Sequence, residues 1–462
     1  MNCAPTHNTG LVLIDTTIPT PSPVRRAALL FIFITVALDV LAMGVVIPVL
    51  PHLIEQFTGG DIGSAALWVG LFGTVFALMQ FLFSPFQGAL SDRFGRRPVI
   101  LLSNLGLGLD FILMALVNTL PLLFIGRILA GISSASFSTA NAYIADVVPP
   151  EKRAGSYGMI GAAFGLGFII GPAMGGYLSG IDLRLPFWVA AGLSLANFCY
   201  GWFILPESLP PERRAPFNWR RANPVGALML LRRYPQVLGL ATVLFFSQLA
   251  HYVLNSVFVL YADYRYQWGP QQVGYTLALV GASNAVVQAG LVRRVVPWLG
   301  ERKALLAGLS FGAMGFVLQG LAPNGTWFLI AIPLMALWGF AGPSLQALMT
   351  RQVDMHEQGR LQGAVASLAS VAGIFGPYLF THVFASFIGE RASWHLPGAP
   401  FLLSASLLAV GVVLAWRVTR KPPSHVEGVK KPRAPGGAHG VGGRGPTGGE
   451  SAAPRASPGG AG

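Results

Sequence analysis

The sequence predicts an all-α polytopic membrane protein, with twelve transmembrane helices arranged as two six-helix bundles. Three observations predict it. Only 11% of the 462 residues are charged and 53% are hydrophobic, whereas soluble domains average about a quarter charged. Apolar runs of roughly 20 residues, each long enough to cross about 30 Å of hydrocarbon, recur along almost the whole chain. Finally, the basic residues sort to one side. With both termini placed inside, all but four of the 31 Lys and Arg fall on the inner face; Arg184, Arg265 and Arg391 fall outside, and Arg127 lies within a helix. That asymmetry is the positive-inside pattern.

The runs lie near 28–50, 67–90, 98–118, 121–143, 155–178, 185–205, 236–261, 270–292, 302–322, 325–350, 360–384 and 397–418. Many contain Gly or Pro, which membrane helices tolerate because neighbours satisfy the freed backbone groups. Residues 1–27 read as a cytoplasmic tail. They lack a basic segment followed by a cleavage site, so the first helix reads as an uncleaved insertion signal. Residues 28–205 form the first bundle and 236–418 the second. Between them, 206–235 is a cytoplasmic loop carrying Arg213, Arg214, Arg220, Arg221, Arg232 and Arg233. Residues 419–462 are rich in Gly, Pro, Ala and Ser, with seven Lys/Arg against two Glu. No core forms from that composition, so the tail is expected to be disordered, solvated or leaning on anionic lipid.

The two halves echo each other at one offset of 205. Phe94-Gly95-Arg96-Arg97 corresponds to Leu299-Gly300-Glu301-Arg302, Gly158 to Gly363, and Gly171-Pro172 to Gly376-Pro377. Three matches at one spacing indicate a duplicated unit in parallel orientation.

Composition also excludes functions. The net charge of +13 sits on inner loops and tails rather than on a folded basic patch with aromatics, so no nucleic-acid module is expected. Cys3 and Cys199 lie far apart and without metal-ligand spacing. The eight histidines form no sequence cluster, and no nucleophile motif or phosphate loop is present. The expectation is a protein that is not an enzyme and holds no bound metal or cofactor.

Three charges lie inside predicted helices: Asp39 in the first, Asp110 in the third and Arg127 early in the fourth. A charge at mid-membrane costs about 2.5–3.5 kcal/mol on insertion scales, so each should face a partner or a polar cavity. Together they make a candidate proton-coupling network. The alternative is a fixed ion pair that only orients helices. In the fifth helix, Gly167, Gly171, Pro172, Gly175 and Gly176 have the small-residue spacing of close helix crossings, with Pro172 favouring a bend. Asn141, Gln248, His251, Asn284, Gln288 and Trp338 are candidate cavity residues.

The stretch Gly88-Ala-Leu-Ser-Asp-Arg-Phe-Gly-Arg-Arg97 places four charges in ten residues between two apolar runs. It resembles the loop that joins the second and third helices in the major facilitator superfamily. The glycines of the fifth helix resemble the antiporter motif of that superfamily. Further stretches resemble the tetracycline-efflux (TCR/Tet) group of drug:proton antiporters. They are Val36-Ala-Leu-Asp39, Ile47-Pro-Val-Leu-Pro51, Gly126-Arg127-Ile-Leu-Ala-Gly131, Ala142-Tyr-Ile-Ala-Asp146, Phe164-Gly-Leu-Gly167 and Leu205-Pro-Glu-Ser208. In the second half they are Leu299-Gly-Glu-Arg302, Arg351-Gln-Val-Asp354 and Leu361-Gln-Gly363. The resemblance spans roughly residues 28–420.

This resemblance implies a major facilitator fold in the cell inner membrane, both termini cytoplasmic. It implies a monomer that exports an amphipathic drug, tetracycline first, in exchange for protons. The drug would travel as a divalent-metal chelate. Asp39, Asp110 and Arg127 would be the working membrane charges. Gly88, Asp92, Arg93, Gly95, Arg96 and Arg97 would form the cytoplasmic gate. The chain departs from the group at two places: Asn284 and Gly312 stand where tetracycline exporters carry a His and an Asp. Pro297 also replaces Asp92 in the second half. Transport of another drug or a metabolite, or a non-transporting sensor or scaffold, therefore stays open.

Overall fold

A computed structural model describes residues 23–134, 136–148, 150–214, 235–353, 358–389 and 394–420. The expected tails up to residue 22 and from 421 onward, and most of the central loop with Arg220, Arg221, Arg232 and Arg233, lie outside the described residues, as do Cys3, Asp354 and Arg391. All regular elements among the described residues are helical.

The first half comprises α1 (Pro23–Val46), α2 (Leu50–Phe57), α3 (Ile62–Phe94), α4 (Arg96–Leu116), α5 (Leu120–Ser133), α6 (Ser136–Val147), α7 (Pro150–Ser179) and α8 (Leu185–Ile204). The second comprises α9 (Pro235–Ser256), α10 (Phe258–Tyr266), α11 (Pro270–Val286), α12 (Val292–Leu299), α13 (Glu301–Leu321), α14 (Gly325–Ala336), α15 (Ala341–Thr350), α16 (Gln358–Ile388) and α17 (Ala399–Val418). Among the described residues, eleven segments are long and apolar enough to cross a bilayer. The fourth expected span is shared between α5 and α6. Leu122, Ile125 and Leu129 form an exposed stripe along α5 at helical spacing, as a surface facing acyl chains requires.

Two short elements were not legible as separate helices. The first apolar run breaks after Val46, because Pro48 has no N–H to continue the ladder, and α2 then starts afresh. The run expected over 236–261 likewise ends at Ser256, and α10 follows it. These two short helices sit at similar places in the two repeats, and they meet each other.

Local chemistry sets several ends. The Asp61 side chain caps α3 by accepting from Gly63 N at 3.0 Å, and that hydrogen bonding with Ser64 holds its carboxyl below the usual range. Gly95 and Gly300 adopt φ of 109° and 76°, backbone that favours glycine. Each lets a long helix stop and the next begin one residue later, at the same position in the two repeats.

The halves meet along two equivalent crossings, α7 with α11 and α16 with α3. Both depend on small residues. A Cβ on Gly176 would sit 3.1 Å from Gly274 Cα, and one on Gly73 would sit 2.8 Å from Pro377 Cβ. Thr74 Oγ1 also donates across the second crossing to Ile374 O at 2.8 Å. The second half packs around an aromatic cluster in which Tyr261 lies 4.8 Å from Phe401 and Phe258 stacks on Phe328 at 5.5 Å.

Candidate functional site

Between the halves lies a cavity of about 380 Å³. Phe72, Phe76, Phe111, Asp110 and Arg127 line it from the first half, and Tyr252, Asn255 and Pro377 from the second. Leu50, Pro51 and Ile54 of α2 also line it. Aromatic walls with a few convergent polar groups suit an amphipathic guest.

The charged wall is the Asp110–Arg127 pair, formed between α4 and α5. Arg127 Nη2 donates to Asp110 Oδ2 at 3.0 Å, with the carboxylate fully buried and the guanidinium 12% exposed. Gly126 permits this approach: a Cβ there would lie 2.9 Å from Asp110 Oδ1. Arg127 Nη2 also reaches Met114 Sδ at 2.7 Å. The pair is not saturated, since Asp110 Oδ1 and Arg127 Nε are buried without hydrogen-bond partners. Unpaired buried polar atoms are costly, so such a site favours a further partner.

The three expected membrane charges do not form one described cluster. Asp39 on α1 is buried and accepts from Asn197 Nδ2 of α8 at 2.9 Å. Asn197 Nδ2 also donates to Thr35 O at 3.0 Å. Asp39 does not border the cavity, so it forms a second buried polar site in the same bundle.

The Asp92 loop folds into a compact ionic knot at the Arg-rich end. Arg96 reaches Asp92 at 2.5 Å, Asp146 at 3.0 Å and Ser91 Oγ at 2.6 Å. The Glu207 carboxylate takes the first amides of α4, accepting from Arg96 N at 2.8 Å and Arg97 N at 3.3 Å. An acid at a helix N-terminus is favoured there by the unpaired amides. Gly95 leaves it room, because a Cβ would strike Glu207. Arg97 donates to Trp202 O at 2.6 Å, whereas Arg93 lies 5.1 Å over the Phe94 ring. A Cβ on Gly88 would meet nothing within 4 Å.

Sequence reasoning left Asp146, Glu207 and Ser91 out of this site. The signal was available for the two acids: each closes an apolar run in a chain poor in acids.

The glycines of α7 serve the packing. A Cβ on Gly171 would sit 2.7 Å from Gly44 Cα, and one on Gly167 the same distance from a Val40 methyl. Gly175 lies against the Val45 backbone, and Gly176 turns to the other half. Pro172 lies inside the helix, and its carbonyl faces Gly274.

None of the six residues expected around a cavity lines this one. Asn141 is exposed, and Gln248 and Asn284 are half-buried. His251 packs 5.7 Å from the Trp338 ring, and Gln288 Nε2 donates to Gly339 O at 3.4 Å. Of the elements that carry these six, only α9 lines the cavity, and it does so through Tyr252, Asn255 and Ser256 rather than Gln248 or His251. Gly312 is filled against: a Cβ there would lie 2.9 Å from the Trp338 ring and from Leu408.

Residues 32–377 and 299–439 match the family described as Major Facilitator Superfamily. The chain is 39% identical over 383 residues to a tetracycline resistance protein, class C, of Escherichia coli, covering 83% of this chain and 95% of that one. It is 33% identical to the class H protein of Pasteurella multocida, covering 86% and 97%. A solved bacterial homolog of the human lysosomal transporter Spinster, in an inward-facing and unoccupied conformation, shares the fold at TM-score 0.68. Its identity is 18%, over 87% of this chain and 98% of that chain.

Proposed function

The chain belongs to the Major Facilitator Superfamily and, within it, to the tetracycline-resistance group, and from that membership we propose that it exports tetracycline by alternating access in exchange for protons. One observation carries the mechanism: a buried, incompletely satisfied Asp110–Arg127 pair forms the wall of a cavity between two repeats. Either the guanidinium or a proton can neutralise the carboxylate. A guest that draws Arg127 away makes protonation of Asp110 the alternative to an unpaired buried charge, which breaking a buried pair leaves at a cost of about 3–5 kcal/mol. Drug and proton would then occupy the site in turn.

The cycle needs the two halves to rock about the α7–α11 and α3–α16 crossings. The Arg96 knot would brace one end of the first half during that motion. The Arg-rich end faces the cytoplasm of the inner membrane in this reading, and the monomer is the working unit. Each charge moved through the membrane potential yields about 2.3 kcal/mol per 100 mV, and about 1.4 kcal/mol is worth tenfold in a gradient. One inward proton therefore supports substantial export. No bound cofactor is required, and a metal-chelated drug would be the cargo.

A second reading, export of another drug or a metabolite, draws on Gly312. That position is packed by Trp338 and Leu408, leaving no room for the acid that tetracycline exporters carry there. Proteoliposomes under an imposed pH gradient test both readings. Tetracycline flux that a protonophore abolishes and Asp110→Asn removes supports the first. Proton-driven flux of other compounds without tetracycline supports the second, and no flux of any compound rejects transport.

A further inference from the structure

At the end of the molecule opposite the Arg96 knot, α2 and α10 bring together groups that are remote in sequence. His52 and Glu55 lie one turn apart on α2 of the first half, on one face of that helix. Asp263 comes from α10 of the second half. One donor atom from each lies within 4.8 Å of the others, and all three side chains are half-buried. Both ring nitrogens of His52 are closed to water without a well-formed hydrogen bond. Two carboxylates face each other here, and among the described ion pairs neither has a Lys or Arg partner. Like charges at this range demand neutralisation, by a shared proton or by a cation.

We propose that His52, Glu55 and Asp263 form a divalent-cation site that joins the two halves. An imidazole with two carboxylates suits a first-row ion such as Zn²⁺, with water in the fourth position. Zinc–ligand distances of about 2.0–2.2 Å require the donors to draw inward by side-chain rotation. The same α2 helix lines the cavity through Leu50, Pro51 and Ile54. A bound ion would therefore hold α2 against α10 and fix that wall of the cavity. Opening there would pull Asp263 from the other two ligands and release the ion. This regulatory role rests on the transport reading above; cation binding itself does not.

The full chain, freed of any affinity tag and stripped with EDTA, is titrated with Zn²⁺ in detergent by calorimetry and thermal unfolding. Zn²⁺ is expected to raise the unfolding temperature, because it binds the folded chain alone. Apparent affinity should fall at least about tenfold in each of His52→Ala, Glu55→Gln and Asp263→Asn, a loss of about 1.4 kcal/mol. His52→Cys, which keeps a zinc donor, should retain binding. Metal-free unfolding temperatures of the variants separate lost binding from lost fold. No binding up to millimolar Zn²⁺, or binding unchanged in Asp263→Asn, overturns the site. In proteoliposomes, Zn²⁺ should slow flux through the natural chain and leave Asp263→Asn unaffected. Binding without that effect overturns the regulatory role and leaves the transport reading standing.

Discussion

At the Arg-rich end, the first half holds Arg96 against Asp146 at 3.0 Å, and the second holds Arg351 against Glu301 at 2.6 Å. At the offset of 205 these are the same two positions with the charges exchanged. The backbone beneath them is shared, since Gly95 and Gly300 both turn the chain at positive φ. The surroundings differ. Asp92 and Ser91 close on Arg96, and Glu207 caps the helix behind it, whereas Pro297 stands in the place of Asp92 and Arg351 is 71% exposed. The contrast continues inside the membrane. The first half carries Asp39, Asp110 and Arg127 within its helices, and at the same offset the second has Leu244, Gly315 and Ile332. Duplication preserved the scaffold, while the charged chemistry became concentrated on one side.

Four experiments break or sharpen this contrast. The largest effect should come from Asp110→Asn, which leaves Arg127 buried and unpaired. Breaking such a pair costs about 3–5 kcal/mol, so proton-driven flux should fall by at least about a hundredfold. Asn284→Ala should change flux less than about threefold, and an equal loss in both would end the claim that the halves are unequal. Next is Arg96→Ala, which removes three contacts at once. Hydrogen bonds to charged groups contribute about 1.5–3 kcal/mol, so flux should drop about tenfold or more. Exchanging the charges, Arg96→Glu with Asp146→Arg, should not rescue it, because Asp92 still needs a cation; full rescue would show Asp92 to be dispensable.

Packing at the crossing comes third. Gly176→Val must displace the Pro270 backbone, and overpacking costs about 1–3 kcal/mol. The unfolding temperature should fall by several degrees. Gly165→Ala on the same helix meets open space and should leave it unchanged; equal shifts would reject a packing role for the motif. Smallest is Arg351→Ala. An exposed pair contributes about 0.2–1 kcal/mol, so flux should change less than about threefold, and a tenfold loss would make the second knot as important as the first.

Much of the fold was legible because water-to-oil transfer acts on long windows. Twenty apolar residues, the charges between them and one repeat offset determine spans and halves whatever the neighbours do. The breaks before α2 and α10 were not legible: the first needed the local effect of Pro48, and the second carries no proline to announce it. In the site, Asp110 and Arg127 stood out because charge in an apolar run is costly. Yet nothing along the chain reveals that Asp39 turns to Asn197 on α8 while Asp110 turns to Arg127.

The sequence by itself determined that this chain crosses a membrane in two related bundles, which charges are buried and where glycines permit close approach. These follow from composition, period and spacing, which act locally. Tertiary structure alone decided partners: Arg96 with Asp146, Glu207 on the first amides of α4, and His52 with Glu55 and Asp263 across the halves. Those pairings depend on the rotation of each helix about its axis and on how the repeats dock. Both are settled by packing summed over many remote contacts, which no single stretch of sequence records.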